Sequence, residues 1–301
     1  MALRPIENAL LPLATPERLK KQAKASVLPP VDKKQPEPGV TDENNADAFP
    51  TLADPTVDYV SSQDLKPFPD PESQIQGLIE GLDSKDWITV CGSLNNARRF
   101  ALFHSSLLKP NLEKVLEVLV KAIKNPRSAL CKTSIMASSD VFSAFGDELL
   151  ALPTDAFDSL VMQLLLKASQ DKRFVCEEAD KTLTAMVKVM TPLPLLSKLK
   201  AYGNHSNHRI RAKAAISICH SVSKMELGEM EQFGLVPLVQ TVAKLLNDRL
   251  PDAREAARRM VNQIYQAYTA NEEQKQEAWE TFCQSNLPPL HAQSLVKLTC
   301  S

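Results

Sequence analysis

The chain has 301 residues, with 35 Lys and Arg against 36 Asp and Glu, so its formal net charge is −1. This balance excludes a histone-like polycation and an acidic buffer protein. No apolar run reaches the roughly 18 residues of a membrane span, and residues 1–13 contain charges and prolines where a secretory signal has an apolar core. Six cysteines without an evident disulfide framework favour a reducing compartment. We therefore expect a cytoplasmic protein that does not act at a membrane.

The composition changes near residue 71. Residues 1–71 hold 12 of the 21 prolines and carry 8 Lys and Arg against 11 Asp and Glu. A segment with so little to bury cannot offset its loss of conformational entropy. The sequence therefore predicts a disordered, proline-rich leader over 1–71 and a folded domain over 72–301. The leader is either a solvated extension or a docking segment that orders when another protein binds it.

The folded domain has helical rather than strand periodicity. Segments such as 112–124 place apolar residues at i, i+3, i+4 and i+7. Polar breaks recur at spacings of 39, 46, 36 and 41 residues. They are anchored at Asp86, Asn125, Asp171, Asn207 and Asp248. A period of about 40 residues built from helix pairs is typical of HEAT and armadillo solenoids.

The sequence predicts an all-α, HEAT/armadillo-like α-solenoid of about six helix pairs. The predicted pairs are 72–83/87–107, 111–124/127–145, 155–169/173–190, 192–203/208–224, 230–246/252–269 and 272–284/288–300. Small residues recur about five positions after each anchor, where neighbouring helices pack closely. Among them, Cys91, Cys131 and Cys176 are predicted to be buried in second helices, without disulfides or a bound metal.

The sequence contains no recognised catalytic motif. The glycine patterns of dinucleotide-binding folds, phosphate-binding loops and serine hydrolases are absent. None of the five histidines is spaced as a metal ligand with another histidine or a cysteine. We therefore expect a protein that is not an enzyme and that needs no cofactor or metal.

Basic residues recur in the turns within the predicted pairs. Since these turns line up along one edge of a solenoid, the pattern predicts a basic edge that attracts an acidic protein surface. Nucleic acid is a weaker candidate partner, because the basic residues occur singly and stacking aromatics are sparse. The candidate binding residues are Trp87, Ile88, Asn125, Arg127, Lys172, Arg173, Phe174, His208, Arg209, Arg211 and Arg254.

Trp87 stands at the first of these turns, and two interpretations of it stay open. It is either a buried aromatic that fixes the start of a second helix or an exposed anchor for a partner. Trp and Arg contribute most of the energy in many protein interfaces. The exposure of Trp87 relative to the basic turns distinguishes the two interpretations.

The turn segments together resemble a known family. SKDWITV, NPRSALCKTS, DKRFVCEEAD, NHRIRAKAA and LPDAREAARRM are similar to the turns of the TOG domain in the XMAP215 and CLASP microtubule regulators. The resemblance covers about residues 72–284, and the chain as a whole resembles armadillo-type plant proteins that carry this domain. It implies a flat paddle of six HEAT repeats whose intra-repeat turns bind the tubulin heterodimer.

Carried over by position, the resemblance implies that Trp87 contacts β-tubulin beside Arg127 and the Lys172–Arg173 turn. The residues implied to contact α-tubulin are Arg209, Arg211 and Arg254. We therefore expect a cytoskeleton-associated protein that binds tubulin or microtubules. The alternative is a general HEAT/armadillo adaptor that holds another protein in the groove between its repeats.

Overall fold

A computed structural model describes residues 59–169 and 171–300 of the chain. Within these two ranges the regular structure is entirely helical, with no β-strand. The predicted all-α class is therefore confirmed. Residues 1–58, which make up most of the predicted leader, lie outside the described residues, so the expected disorder and docking role of the leader stay predictions.

The six predicted helix pairs are present, and two of their helices are interrupted, which produces two further short helices. The α-helices are α1 (Pro71–Leu82), α2 (Trp87–Phe103), α3 (Ser105–Leu108), α4 (Leu112–Ile123), α5 (Ser128–Phe145), α6 (Ala156–Ser169), α7 (Arg173–Val189), α8 (Pro192–Gly203), α9 (His208–Val222), α10 (Leu227–Phe233), α11 (Leu235–Leu245), α12 (Pro251–Tyr268), α13 (Lys275–Asn286) and α14 (Pro289–Thr299). The predicted pairs correspond to α1/α2, α4/α5, α6/α7, α8/α9, α11/α12 and α13/α14.

Two predicted helices are shorter than expected. The helix predicted over 87–107 ends at Phe103, because the backbone of His104 leaves helical geometry and its Nε2 atom accepts a hydrogen bond from Phe68 N–H at 3.2 Å. The helix predicted over 230–246 is divided into α10 and α11 at Gly234. This residue has a φ of 105°, a conformation that a side chain would strain.

Helix α4 illustrates how the sequence specifies both a helix and its buried face. Leu112, Val115, Leu116 and Leu119 lie on one side of the helix and are buried, while Glu117 is exposed on the other side. Fully burying one such aliphatic side chain contributes about 2 kcal/mol. The buried stripe packs against α5 of its own pair and α6 of the next, so each pair extends a continuous core.

The second helices of the pairs do not stack uniformly. α2, α5 and α7 pack side by side, and α9 packs closely on α12. Between these two sets, α9 contacts α6 more extensively than it contacts α7. The stacking therefore changes between the third and fourth helix pairs.

This change in stacking explains one error in the sequence analysis. Cys91 and Cys131 are buried as predicted, each with 2% of its surface exposed, because α5 covers α2 and α7 covers α5. Cys176 is only half-buried, so its predicted burial was wrong. α9 contacts α7 much less extensively than α5 does, and the Cys176 thiol lies 3.3 Å from the Asp171 carbonyl oxygen.

Residues 59–68 form a strap that packs on the first two helix pairs. Phe68 is 9% exposed, with its ring centroid 4.8 Å from that of Phe100 and 3.5 Å from the Arg99 guanidinium carbon. The Arg99 Nε atom donates a hydrogen bond to the Lys66 carbonyl at 2.7 Å. Packed structure therefore begins upstream of residue 72, although the division of the chain into leader and domain stays a prediction.

Candidate functional site

The five repeat anchors are turn-forming side chains at the starts of the second helices. Each accepts a hydrogen bond from a backbone N–H one or two residues further along the chain, at donor–acceptor distances of 2.7–3.3 Å. Asp and Asn suit this position because their short side chains accept hydrogen bonds from nearby backbone N–H groups in a turn, and at Asp86 and Asn207 these N–H groups belong to the helix start itself. The period near 40 residues is thus a repeat of helix starts.

In the first turn, Asp86 sets the position of Trp87. Its carboxylate accepts hydrogen bonds from the Ile88 and Thr89 N–H groups at 3.3 and 3.0 Å. The hydrogen bond from the Thr89 hydroxyl is the main cause that lowers the pKa of Asp86, and the bonds from these two N–H groups lower it further. Trp87 is consequently the first residue of α2, where it is half-buried against the core, and Ile88 beside it is 39% exposed.

The second turn brings an arginine to this tryptophan. Asn125 Oδ1 accepts the Arg127 N–H at 2.9 Å, and the exposed Arg127 places its guanidinium carbon 5.5 Å from the Trp87 ring centroid. A cation at this distance from an indole ring is favourable. Trp87 therefore packs against the core and remains partly accessible beside Arg127, so both interpretations of it stay open.

The third turn is joined to the second by a side-chain hydrogen bond. Lys172 Nζ donates to Ser128 Oγ at 2.8 Å. Arg173 is 93% exposed and pairs with Glu177 at 2.7 Å, while the Phe174 side chain remains 38% exposed to solvent. Turns one to three therefore carry both charge and exposed aromatic surface.

In the fourth turn, the two arginines have different roles. Asn207 Oδ1 accepts the Arg209 N–H at 3.0 Å, and Arg209 is exposed with His208 half-buried beside it. Arg211 is directed into the structure, where its Nε donates to Asp248 Oδ2 at 2.6 Å and its Nη1 to the His205 carbonyl at 2.7 Å. Arg209 is therefore available to a partner, whereas Arg211 mainly holds the fourth turn against the fifth.

The fifth turn is organised by Asp248. Arg254 Nη1 donates to the carbonyls of Asp248 and Arg249 at 2.8 and 2.9 Å, so its guanidinium holds the turn together. Burial by itself would raise the pKa of Asp248. Hydrogen bonds from Leu250 N–H and Arg211, with the nearby positive charge, lower that pKa overall. Arg254 is thus partly committed to the fold.

The candidate residues fall into two groups. Contacts between side chains connect turns one, two and three through Trp87–Arg127 and Lys172–Ser128. Turns four and five are connected through Arg211–Asp248. Between the groups, a bond from Lys213 Nζ to Asp180 at 2.8 Å joins α9 to α7 beyond the turns themselves. Which of these residues contact a partner stays a prediction.

Two residues beside the first group are not among the candidate binding residues: Lys132, which the sequence places in the basic edge, and Tyr59. Lys132 lies on α5, and its Nζ is 4.4 Å from the Tyr59 ring centroid and 5.7 Å from the Phe174 ring centroid. Tyr59 is 44% exposed. Its pKa is raised, mainly by partial burial and to a smaller extent by the nearby Cys91 and Cys131. No periodic pattern around residue 59 indicates this placement, because Tyr59 belongs to the predicted leader.

The described parts of the chain lack two other kinds of site. Those parts contain no cluster of three or more His, Cys, Asp or Glu side chains arranged to hold a metal ion. None of their helices combines the length and apolar character needed to cross a membrane.

Comparison with known proteins identifies the family. The family model described as CLASP N terminal matches residues 102–285, which is more than half of the chain. The mouse protein "TOG array regulator of axonemal microtubules protein 1" is 26% identical over 208 residues, which cover 68% of this chain and 12% of the mouse protein. The matched part of the chain thus spans about an eighth of that relative's length. The expected similarity to plant proteins is not shown and stays a prediction.

Solved structures share the fold. The TOG domain of Zyg9 from C. elegans superposes with a TM-score of 0.55 at 18% identity, covering 77% of this chain and 86% of that one. A structure described under "TOG-tubulin binding specificity promotes microtubule dynamics and mitotic spindle formation" superposes with a TM-score of 0.53 at 17% identity, covering 75% and 84%. At these identities the likeness establishes the fold alone. With a TOG-like helical fold and a family match over most of its helices, the chain belongs to the CLASP N-terminal family.

Proposed function

We propose that this chain is a non-enzymatic microtubule-associated protein that binds tubulin through its intra-repeat turns and so regulates microtubule organisation or dynamics. The observation that carries the proposal is the first group of turns, where Trp87 is accessible beside Arg127 and Lys172 links the next turn. A half-buried tryptophan next to exposed basic residues combines the apolar anchor and the charge that an acidic protein surface requires.

The relatives support this assignment from a separate direction. The mouse relative is named as a regulator of axonemal microtubules, and one structure of the same fold is described by TOG–tubulin binding. Association with the cytoskeleton follows from the same proposal. Any docking role of the leader over 1–71 is a separate prediction.

The proposal is tested with the full chain and unpolymerised tubulin in gel filtration, together with co-sedimentation with microtubules. We expect binding that weakens as salt rises, because charges at the edge of an interface are screened over about 8 Å at physiological ionic strength. Trp87→Ala should cost about 2 kcal/mol or more of binding free energy. Arg209→Glu should mainly slow association, because the Arg209 side chain is exposed and the substitution keeps the backbone N–H that bonds to Asn207.

The matched control for Arg209→Glu is Glu272→Lys, which changes the net charge by the same amount in the opposite direction. Glu272 is exposed and follows the C-terminal end of α12, away from the turn that precedes the helix. This variant should bind like the parent. Thermal unfolding is measured in parallel, because Trp87 is half-buried and its removal also lowers stability.

Two results would overturn the proposal. One is a folded Trp87→Ala protein that binds tubulin as tightly as the parent. The other is the absence of tubulin binding by the intact chain at low salt. Either result would direct the search to the groove between repeats, where a general HEAT/armadillo adaptor would hold its partner.

A further inference from the structure

The strap defined by residues 59–68 is fastened to the folded domain at a buried charge. Arg98 has none of its surface exposed, and its Nε donates to Asp140 Oδ2 at 2.6 Å. The same guanidinium donates to the Val60 carbonyl at 2.7 Å and to Ser62 Oγ at 3.1 Å. Ser62 in turn donates to Asp140 Oδ1 at 2.7 Å. This network fixes the backbone immediately after Tyr59.

Tyr59 extends from this fixed point toward the first group of turns. The Lys132 Nζ atom lies 4.4 Å from the Tyr59 ring centroid and 5.7 Å from the Phe174 ring centroid. Tyr59 is 44% exposed and Phe174 is 38% exposed. The Lys132 side chain is 19% exposed and forms an ion pair with Glu178 at 3.9 Å, which is long for a hydrogen bond. We call Tyr59, Lys132 and Phe174 the strap patch.

The strap patch has the composition of an interface anchor. Two accessible aromatic rings beside one cation offer an apolar surface together with a site for a carboxylate. Tyrosine supplies a large contact area at a low cost in conformational entropy, because it has only two side-chain torsions. The Arg98 network lowers that cost further by holding the strap in place before a partner arrives.

Resting on the proposed function, we infer that Tyr59 is a tubulin-contact residue and that the strap patch is a second anchor beside Trp87. The patch binds an acidic part of the tubulin surface, with Lys132 facing a carboxylate and the two rings covering an apolar group. Tyr59 precedes residue 102, where the family match begins, and it belongs to no intra-repeat turn. Ser62 and Arg98 act as positioning residues.

The first test compares tubulin affinities of full-length variants by equilibrium binding. Tyr59→Ala should weaken binding about tenfold, which corresponds to a moderate interface anchor. Tyr59→Phe should bind within about twofold of the parent, because the ring is retained. Phe103→Ala is the matched control, since Phe103 is 43% exposed and lies at the opposite end of α2 from the first turn. It should leave affinity unchanged.

The second test asks whether the strap positions the ring. Ser62→Ala removes one bond to Asp140 and one to Arg98 without altering Tyr59. Ser62→Ala should weaken binding about threefold in the parent and have almost no effect when Tyr59 is already alanine, because coupled residues give non-additive losses. Thermal unfolding of all variants separates this coupling from a change in stability.

The outcomes separate the two proposals. If the parent binds tubulin and Tyr59→Ala binds equally well, the inference about the strap patch is wrong while the proposed function stands. Equal losses in Tyr59→Ala and Phe103→Ala, or additive losses in the Ser62 cycle, would also overturn the inference. A parent that binds no tubulin at low salt overturns both proposals.

Discussion

Arg98 carries a fully buried charge, and its main partner comes from a different helix pair. Asp140, 5% exposed, lies on α5 and contacts Arg98 of α2 at 2.6 Å. Removing one member of such a pair leaves an uncompensated charge in a poorly solvated site. This pair therefore connects the first two helix pairs and the strap at a single point.

We predict that Asp140→Asn lowers the free energy of unfolding by about 3 kcal/mol, measured by urea denaturation. The control is Glu148→Gln, which breaks the exposed Lys109–Glu148 pair, whose side chains are 63% and 51% exposed. Exposed ion pairs contribute little to folding stability, so this control should change the free energy of unfolding by less than about 0.5 kcal/mol. Equal effects of the two substitutions would contradict the role assigned to Arg98.

Helix α1 contains two glycines whose surroundings differ. Gly77 is exposed, and a methyl group added there would meet nothing within 4 Å. A methyl group added at Gly81 would collide with the hydroxyl of Ser93 on α2, which is buried. Gly81 therefore allows the close approach of α1 to α2, whereas Gly77 has no such role.

The same substitution should consequently have opposite effects at the two positions. Gly77→Ala should raise the free energy of unfolding by about 0.5–1 kcal/mol, because alanine loses less backbone entropy in a helix. Gly81→Ala should lower it by about 1–3 kcal/mol through overpacking. Adding Ser93→Ala to Gly81→Ala should recover part of that loss. Effects of the same sign at both positions, in urea denaturation, would refute this account of α1 packing.

At the scale of the whole molecule, the six cysteines differ in how far the surrounding helices bury them. Cys300 is exposed and Cys176 half-buried, while the other four are buried. Burial raises the pKa of those four thiols, reaching about 12 for Cys283. Since the thiolate is the reactive form, a thiol that is buried and has a raised pKa should react more slowly with a thiol reagent.

We predict that a thiol reagent at neutral pH modifies Cys300 rapidly and Cys176 more slowly in the folded protein. The remaining four thiols should react only after unfolding. Mass mapping of the modified sites provides the measurement, and complete denaturation in urea provides the reference for all six. Rapid modification of Cys91 or Cys131 in the folded state would contradict the stacking of α2, α5 and α7.

Much of the fold was predictable because it is encoded locally. The 3.6-residue apolar period of segments such as α4 specifies a helix and its buried face within a dozen residues. Asp86 and Asn207 form their turns with backbone groups two residues away, so the sites of the helix starts could be read directly from the sequence. The five turns and their basic residues followed from these short-range signals.

The sequence by itself therefore determined the helix pairs, their turns and the candidate edge, whereas the tertiary structure alone decided which residues of that edge are accessible. Arg211 turns inward to Asp248, 37 residues away, while Arg209 remains exposed. Tyr59 reaches Lys132 only because Arg98 and Asp140 hold the strap in place. Periodicity reflects neighbours along the chain, but the accessibility of a side chain depends on which distant segments pack against it.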